Sequence, residues 1–328
     1  MSTGTMNGEA QVSYEAELVD WIEQEKAAIE LIHIIGNLWF DKSVELILFR
    51  NQLVDRSTSQ ILNLHQYAKE IVKKPISVSD TVLLARELVR IDLAPSRLDI
   101  GRLASEWVSE RAEFSNDVNS FLTNKLKDLI GKDKRVMIPR DVVLYGFGRI
   151  GRVLARELVS QAGKGEQLRL RAIVTRSYSD EELTKRAELL RNDSVHGPFP
   201  GTVIEDFEKK ALVVNGHTIY MIASKNPEEI NYVSYGISNA LLIDNTGASR
   251  DREGLSKHLL AKGIDKVLLT APGKGDIPNV VYGINESGCG ENEKIFSAAS
   301  CTTNAIVPVL AVIEKTIGIE REIGRAHV

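Results

Sequence analysis

Residues 141–159, "DVVLYGFGRIGRVLARELV", constrain the chain more than any other segment. A short apolar β-rich run passes directly into Gly146-x-Gly148-x-x-Gly151, and an amphipathic helical pattern follows without a break. Each glycine has a physical task in such a junction. Gly146 permits the tight turn, Gly148 lets the backbone approach a pyrophosphate, and Gly151 lets the helix pack closely on the strand. The pyrophosphate then meets unpaired N–H groups and the positive end of the helix dipole. A glycine-rich turn without a ligand is the alternative, and the strand–loop–helix context argues against it.

The surroundings agree with a parallel α/β architecture. Beyond residue 140, β-rich runs at 141–145, 168–175, 211–214, 240–243, 266–270, 279–282 and 294–298 alternate with helical patterns at 150–161, 179–190 and 250–261. Such alternation predicts a doubly wound parallel sheet. Residues 12–130 have a different texture and are expected to form an all-helical domain. Leu18, Ile22, Ile29 and Ile32 recur at helical spacing, as do Ile61, Leu64, Ala68 and Ile71. Ser57 and Gln60 have the spacing of a capping box. A final helix is expected over 115–130, stopped by Gly131. Residues 1–8 are expected to be disordered, and 131–140 ("GKDKRVMIPR") read as a charged linker. The expected organisation is a helical domain of unknown role over 1–136, a nucleotide-binding domain over 137–300, the start of a further domain over 301–320, and a terminal tail over 321–328.

A chain of 328 residues has room for about two domains of ordinary size. With 43% hydrophobic and 26% charged residues and a net charge of −4, it has no basic excess to suggest nucleic acid or an anionic membrane as partner. No signal peptide and no membrane-spanning run is apparent, so a cytoplasmic setting is expected. Two cysteines without a CxxC fit a reducing compartment, and no metal-ligand spacing is present. His33 and His65 stand alone and read as solvated or core residues.

The strand after the glycine loop bears on the nucleotide. In an NAD site it should end in an acidic residue that holds the ribose 2′-hydroxyl. Here "LRAIVTRSYSD" ends in Thr175, Arg176 and Ser177. The fork of an arginine suits a 2′-phosphate, so Arg176 points to NADP, beside or in place of NAD. A solvent-facing Arg176 is the other reading.

Cys301 lies in "SAASCTTNA" (297–305), after a strand and at the start of the helical stretch "CTTNAIVPVLAVIEK". A thiol there meets free N–H groups and the positive dipole end, which favour thiolate. Its own N–H and the Thr302 and Thr303 hydroxyls could hold an oxyanion or a phosphate. Cys289, in the polar turn "ESGCGEN", reads as a loop residue without chemistry.

With these segments the chain resembles phosphorylating glyceraldehyde-3-phosphate dehydrogenases. "GFGRIGR" (146–152), "NDSVHGPFPG" (192–201), "DNTG" (244–247), "TAPGKGD" (270–276) and "SAASCTTNA" follow in family order, and the likeness covers about 141–320. The resemblance implies a Rossmann-type cofactor domain preceding a catalytic domain, of which the first helix is present. It implies oxidation of an aldehyde phosphate to an acyl phosphate with NAD or NADP and inorganic phosphate, in a full-length form that is a homotetramer. By position, Cys301 resembles the nucleophile, and Ser300 and Thr302 resemble substrate or phosphate ligands. Arg149 and Ile150 resemble cofactor contacts beside the three glycines. Thr246 and Thr270 resemble contacts further along the nucleotide, and Lys225 stands where the family often has an arginine near the adenosine. His196 belongs to the cofactor domain's own motif and reads as structural. The helical N-terminal segment resembles an extended bacterial variant.

The family's catalytic base would fall near Val328, and His327 in "REIGRAHV" matches no family motif, so it is given no role. Likeness stops at Arg321, and "EIGRAHV" is what one frame of a common sequencing adapter encodes. The expectation is therefore a fragment with a non-native tail and little or no turnover, its Ile306, Val309, Leu310 and Ile313 uncovered. Two alternatives share the loop and thiol: a related erythrose-4-phosphate dehydrogenase, and a regulatory nucleotide-binding module without catalysis.

Overall fold

The computed structural model describes residues 6–131, 139–163, 167–290 and 292–321, with the side chains of residues 6–13 left aside. Most of the charged linker and the terminal residues 322–328 lie outside these, including the proposed foreign tail and His327. The chain divides into two compact units, Met1–Val136 and Met137–Val328.

The first unit is mainly helical: α1 (Met6–Lys42), α2 (Thr58–Glu70), α3 (Val78–Arg90), α4 (Ile100–Glu110) and α5 (Val118–Lys125). It is not all-helical. Strands β1 (Val44–Leu48), β2 (Asn51–Gln52) and β3 (Ser96–Asp99) form a small sheet in the order β2-β1-β3, with β1 and β3 parallel. Ser43 adopts a φ of 55°, which breaks α1 and releases "VELIL" as a strand whose Val44, Leu46 and Leu48 are buried. The helix expected from the spacing of Leu18, Ile22, Ile29 and Ile32 is present as α1, and Ile32 packs against the core of this unit. Leu18, Ile22 and Ile29 are exposed, whereas Ala28, Leu31, Ile35 and Leu38 enter the core. Ser57 and Gln60 do form a reciprocal capping box, worth about 1 kcal/mol. The helix expected over 115–130 is shorter, because Asp117 caps it from Asn119 N–H and Ser120 N–H, and Leu126 ends it. Of residues 1–8, expected to be disordered, 6–8 already belong to α1 and 1–5 lie outside the described chain.

The second unit is built on an eight-stranded sheet. Its elements are β4 (Arg140–Tyr145), α6 (Arg149–Ser160), β5 (Leu168–Thr175), α7 (Asp180–Arg191), the short β6 (Asn192–Asp193) and β7 (Gly197–Pro198), then β8 (Val203–Asp206), β9 (Ala211–Val214) and β10 (His217–Ala223). There follow β11 (Ala240–Asp244), α8 (Arg252–Leu260), β12 (Ile264–Leu269), β13 (Ile295–Ser297) and α9 (Cys301–Thr316). The sheet order is β13-β12-β11-β4-β5-β10-β9-β8. The strands from β13 to β10 run parallel, and the β10–β9–β8 edge is antiparallel.

Alternating side chains feed two cores, one per face. Val142 and Leu144 of β4 pack with Ala155 and Val159 of α6 and Leu183 and Ala187 of α7. Val143 points the other way, towards Leu242, Leu255 of α8 and Val267. With both faces covered, β4 is an almost continuous buried run. The strand expected over 279–282 is absent. Only the bridge Asn279↔Ser297 forms there, and Tyr282 is exposed.

The order of strands locates the crevice. β4 is first in the chain within this sheet, and its two neighbours, β5 and β11, continue it in opposite directions. Ligands in such sheets bind at the carboxyl ends of the strands where the order reverses.

Candidate nucleotide crevice and cysteine turn

A crevice of about 540 Å³ opens at that point. Tyr145, Gly146 and Phe147 line it from the end of β4, Val174, Thr175 and Arg176 from β5, and Ser224 and Lys225 from the end of β10. Thr246 and Ala248 contribute from the turn after β11, and Arg186 reaches it from α7. Four residues expected at the site therefore meet here: Gly146, Arg176, Lys225 and Thr246.

The glycine loop has the geometry its spacing demands. Gly146 has a φ of +98°, and a Cβ on it would stand 2.9 Å from Thr246 Cγ2. A Cβ on Gly151 would stand 2.5 Å from the Gly146 carbonyl oxygen, so only glycine lets α6 approach the turn. Around Gly148 a Cβ would meet nothing within 4 Å, which leaves open space beside the backbone. Arg149 and Ile150 follow, both exposed, in the first turn of α6.

The start of α6 differs from the other α-helices whose caps are described. α2, α3, α4, α5, α7, α8 and α9 each begin at a Ser or Asp side chain that accepts a backbone N–H. α6 begins at Gly148 with no side-chain cap. Its first N–H groups are left to an external acceptor, and the dipole there favours an anion.

Asp244 fixes the opposite wall. Its Oδ1 accepts from Thr246 N–H and Thr246 Oγ1, both at 2.7 Å, and its Oδ2 lies 3.1 Å from His258 Nε2. Asp244 and His258 are each 2% exposed. Burial works against the charge, but the bonds from His258 and Thr246 outweigh it and hold the Asp244 carboxyl below its ordinary range. The Tyr145 ring stands edge-on against His258, at 4.6 Å between centroids.

Thr270 stands apart from the crevice lining. Its N–H and hydroxyl both bond the Asp244 carbonyl, each at 3.1 Å, tying β12 to β11. His196 rests against Asp193, whose Oδ1 takes the imidazole and the N–H groups of Val195 and His196. These bonds, with Arg152 beyond them, depress the Asp193 carboxyl well below its ordinary range. His33 is exposed beside Asn37, and buried His65 bridges the Ile61 carbonyl and Thr81.

Cys301 is exposed and is the first residue of α9. A tight turn presents it. Buried Ser297 bonds the Ala271 carbonyl and accepts Ala299 N–H, and Ala299 takes a left-handed φ of 57°. Ser300 caps α9 by accepting Thr303 N–H at 3.0 Å, and Asn304 clasps the carbonyls of Ala298 and Ser300 at 2.7 and 2.9 Å. The Thr302 hydroxyl lies 4.0 Å from Sγ. The hydroxyls and amide of "SAASCTTNA" thus build the turn, and the sulfur beside it is exposed.

Cys301, Ser300 and Thr302 do not line the crevice. They follow β13, on the same carboxyl side of the sheet, three strand spacings from β4, or about 14 Å. Tyr145, Phe147, Arg186 and Ser224 are crevice residues that sequence reasoning did not single out. The two aromatics flank Gly146 and were within reach of the motif, whereas Arg186 comes from a helix and had no local signal.

Comparison with known proteins decides the relationship. Residues 140–252 match the family model described as "Glyceraldehyde 3-phosphate dehydrogenase, NAD binding domain". A "Glyceraldehyde-3-phosphate dehydrogenase-like protein" of Pseudomonas aeruginosa is 44% identical over 292 residues, which is 88% of this chain and 63% of that protein. Over these segments the chain is similar to glyceraldehyde-3-phosphate dehydrogenases. Glyceraldehyde-3-phosphate dehydrogenases of Zymomonas mobilis and Thermotoga maritima are each 38% identical, over 55% and 54% of this chain and half of their own length. This chain thus spans less than two thirds of the length of the relatives it matches. A match of 292 residues cannot fit within residues 137–328, so the Pseudomonas likeness extends into the N-terminal unit. Among the described residues, no helix is long and apolar enough to cross a membrane, and no group of three or more His, Cys, Asp or Glu could hold a metal.

Proposed function

We propose that this chain supplies the nucleotide site and the nucleophile of an NAD(P)-dependent aldehyde-phosphate dehydrogenase, acting as glyceraldehyde-3-phosphate dehydrogenases do. The observation that carries the reading is the uncapped start of α6 beside an open Gly148, at the strand-order reversal of the sheet. These residues fit a dinucleotide. The N–H groups of the first turn of α6 receive the pyrophosphate, Gly148 gives it room, and Arg149 and Ile150 flank it. Thr246, held by Asp244, borders the nucleotide further along, with Thr270 behind it. When bound, the nicotinamide supplies the hydride acceptor.

The chain's own chemistry centres on Cys301. Its sulfur attacks the aldehyde carbon and forms a C–S bond, and the carbonyl oxygen takes a proton. With the nicotinamide bound, loss of hydride from that carbon and of the proton from its hydroxyl to solvent would leave a thioester, and inorganic phosphate would then displace the sulfur to give the acyl phosphate and a free thiolate. Cys301 N–H and the Thr302 hydroxyl, at the positive end of α9, favour the oxyanion or the phosphate, and Ser300 orients this turn. α9 serves as the first helix of the catalytic part. In the same reading the protein is cytoplasmic and homotetrameric in its full-length form, with neither nucleic acid nor membrane as partner.

Arg176 is exposed at the crevice in place of the acid that would hold a ribose 2′-hydroxyl. The reading therefore includes use of NADP, with Lys225 near the adenosine. The test is reduction of NADP and NAD by glyceraldehyde 3-phosphate and phosphate, in a chain extended to the length of its relatives. Activity is expected, and Cys301→Ala should abolish it. Arg176→Ala should shift the ratio of Michaelis constants towards NAD. Activity that survives Cys301→Ala overturns the nucleophile assignment, and an unchanged ratio overturns the role of Arg176.

A further inference from the structure

Three cationic side chains line the crevice: Arg176 after β5, Lys225 after β10, and Arg186 from the middle of α7. The helix around Arg186 shows how unusual its position is. Arg191 is locked at 2.6 Å to both Glu205 Oε2 and the Val203 carbonyl. Arg156 of α6 is spent on the carbonyls of Leu190, Arg191 and Gly197. Arg186 is held more loosely. Its Nη1 lies 3.4 Å from the Ser177 carbonyl and 3.4 Å from Glu182 Oε2, both beyond the usual range for such bonds.

Glu182 explains why a cation is needed there. Its Oε1 accepts the Ser177 hydroxyl at 2.8 Å, one residue beyond Arg176. That bond first, and then Arg186, holds the Glu182 carboxyl below its ordinary range, so it stays ionised beside the end of β5. Left alone, this carboxylate would repel a phosphate on the ribose. Arg186 cancels it and still presents a guanidinium, 18% exposed, to the crevice.

We infer that Arg186 is a specificity-determining residue that makes this crevice favour a 2′-phosphorylated adenosine over one with a free 2′-hydroxyl. It does so by neutralising Glu182 and by joining Arg176 in a two-arginine clasp. The inference rests on the reading of the crevice as a dinucleotide site.

The experiment is calorimetric titration of the whole chain with adenosine 2′,5′-bisphosphate and with AMP, which differ only in the 2′-phosphate. Arg186→Ala should reduce the affinity ratio of bisphosphate to AMP by about tenfold, the loss expected for a charge-assisted guanidinium–phosphate contact. Arg186→Lys, which keeps the charge but not the fork, should recover part of it. Glu182→Gln should raise the ratio several-fold, and it gives the answer even if Arg186→Ala does not fold. A ratio within twofold of wild type in folded Arg186→Ala, or no rise in Glu182→Gln, overturns the inference and leaves the nucleotide site standing. A wild-type chain that binds neither compound overturns both.

Discussion

Alanine at each of two loop glycines separates the architecture of the loop from its ligand. At residue 151 the added Cβ would lie 2.5 Å from the Gly146 carbonyl oxygen and 3.3 Å from its carbon. Both are backbone atoms of a turn already bonded to its neighbours, through Gly146 N–H to the Val174 carbonyl and Asn245 N–H to the Tyr145 carbonyl. Neither atom can swing aside, so the cost sits at the upper end of the overpacking range, about 3 kcal/mol. Alanine returns about 1 kcal/mol in helix propensity. The net loss of about 2 kcal/mol corresponds to a melting point lower by about 4–8 °C for a domain of this size. At residue 148 the outcome differs. The added Cβ meets nothing within 4 Å, and a φ of −73° with ψ of −163° is open to any L-residue. A poorer N-cap and a less flexible unfolded chain act in opposite directions, each by less than about 1 kcal/mol, so stability changes little. Yet the methyl group occupies the space through which a pyrophosphate would approach α6. Dinucleotide affinity should fall at least about tenfold, or about 1.4 kcal/mol. Thermal melts followed by circular dichroism, with calorimetric titration of NAD and NADP, read both quantities. Wild-type nucleotide affinity in Gly148→Ala, or a wild-type melting point in Gly151→Ala, would refute the reasoning.

Other consequences can be measured on the same chain. His258→Ala strips the buried Asp244 carboxylate of its imidazole and should cost about 3 kcal/mol in urea unfolding while loosening the Thr246 wall; a loss below about 1 kcal/mol would mean the pair does not hold Asp244. Glu293 pairs with Arg252 at 3.0 Å and accepts the N–H groups of Ile295 and Lys294, which brings its carboxyl down to about 2. Because this folded-state value lies below the ordinary one, Glu293 stabilises the fold at neutral pH, and that contribution disappears as pH falls from about 5 towards 2. The pair is partly exposed, so the contribution is about 1 kcal/mol after screening. Urea midpoints of wild type and Glu293→Gln should therefore differ at pH 7 and converge near pH 2; equal midpoints at pH 7 would remove Glu293 from the account.

The parts of the fold governed by local chemistry were legible in the sequence. The β4–loop–α6 junction followed from three glycines, because Gly146 and Gly151 answer steric demands within a few residues of themselves and Gly148 leaves open space beside the backbone. The helical stretch beginning near Ser179 and the start of α9 at Cys301 were similarly local. Long-range pairing was less visible. "VELIL" is too short for its period to separate strand from helix, and only its pairing with β2 and β3 makes it a strand. "NVVY" at 279–282 has strand composition, but it leaves the sheet after one bridge, and Gly283, at a φ of 79°, turns the chain away. The β9–β10 hairpin did carry a signal that went unread. Asn215 and Gly216 both take positive φ, at 47° and 82°, which is the usual conformation of an Asn-Gly hairpin turn. In the crevice, Gly146, Arg176, Lys225 and Thr246 were within reach of motif reasoning. Arg186 and the Glu182–Ser177 bond were not, because α7 reaches the end of β5 only through packing.

The central claim joins the crevice to the thiol: a dinucleotide seated on α6 extends along the carboxyl edge of the sheet to the sulfur at the start of α9. Iodoacetamide labelling of both cysteines, followed by mass spectrometry with and without saturating NAD or NADP, tests it directly. Cys301 is exposed and Cys289 half-buried, so faster labelling of Cys301 alone would not suffice. The account predicts that nucleotide changes the Cys301 rate several-fold and leaves the Cys289 rate unaltered. A Cys301 rate indifferent to bound nucleotide would contradict it.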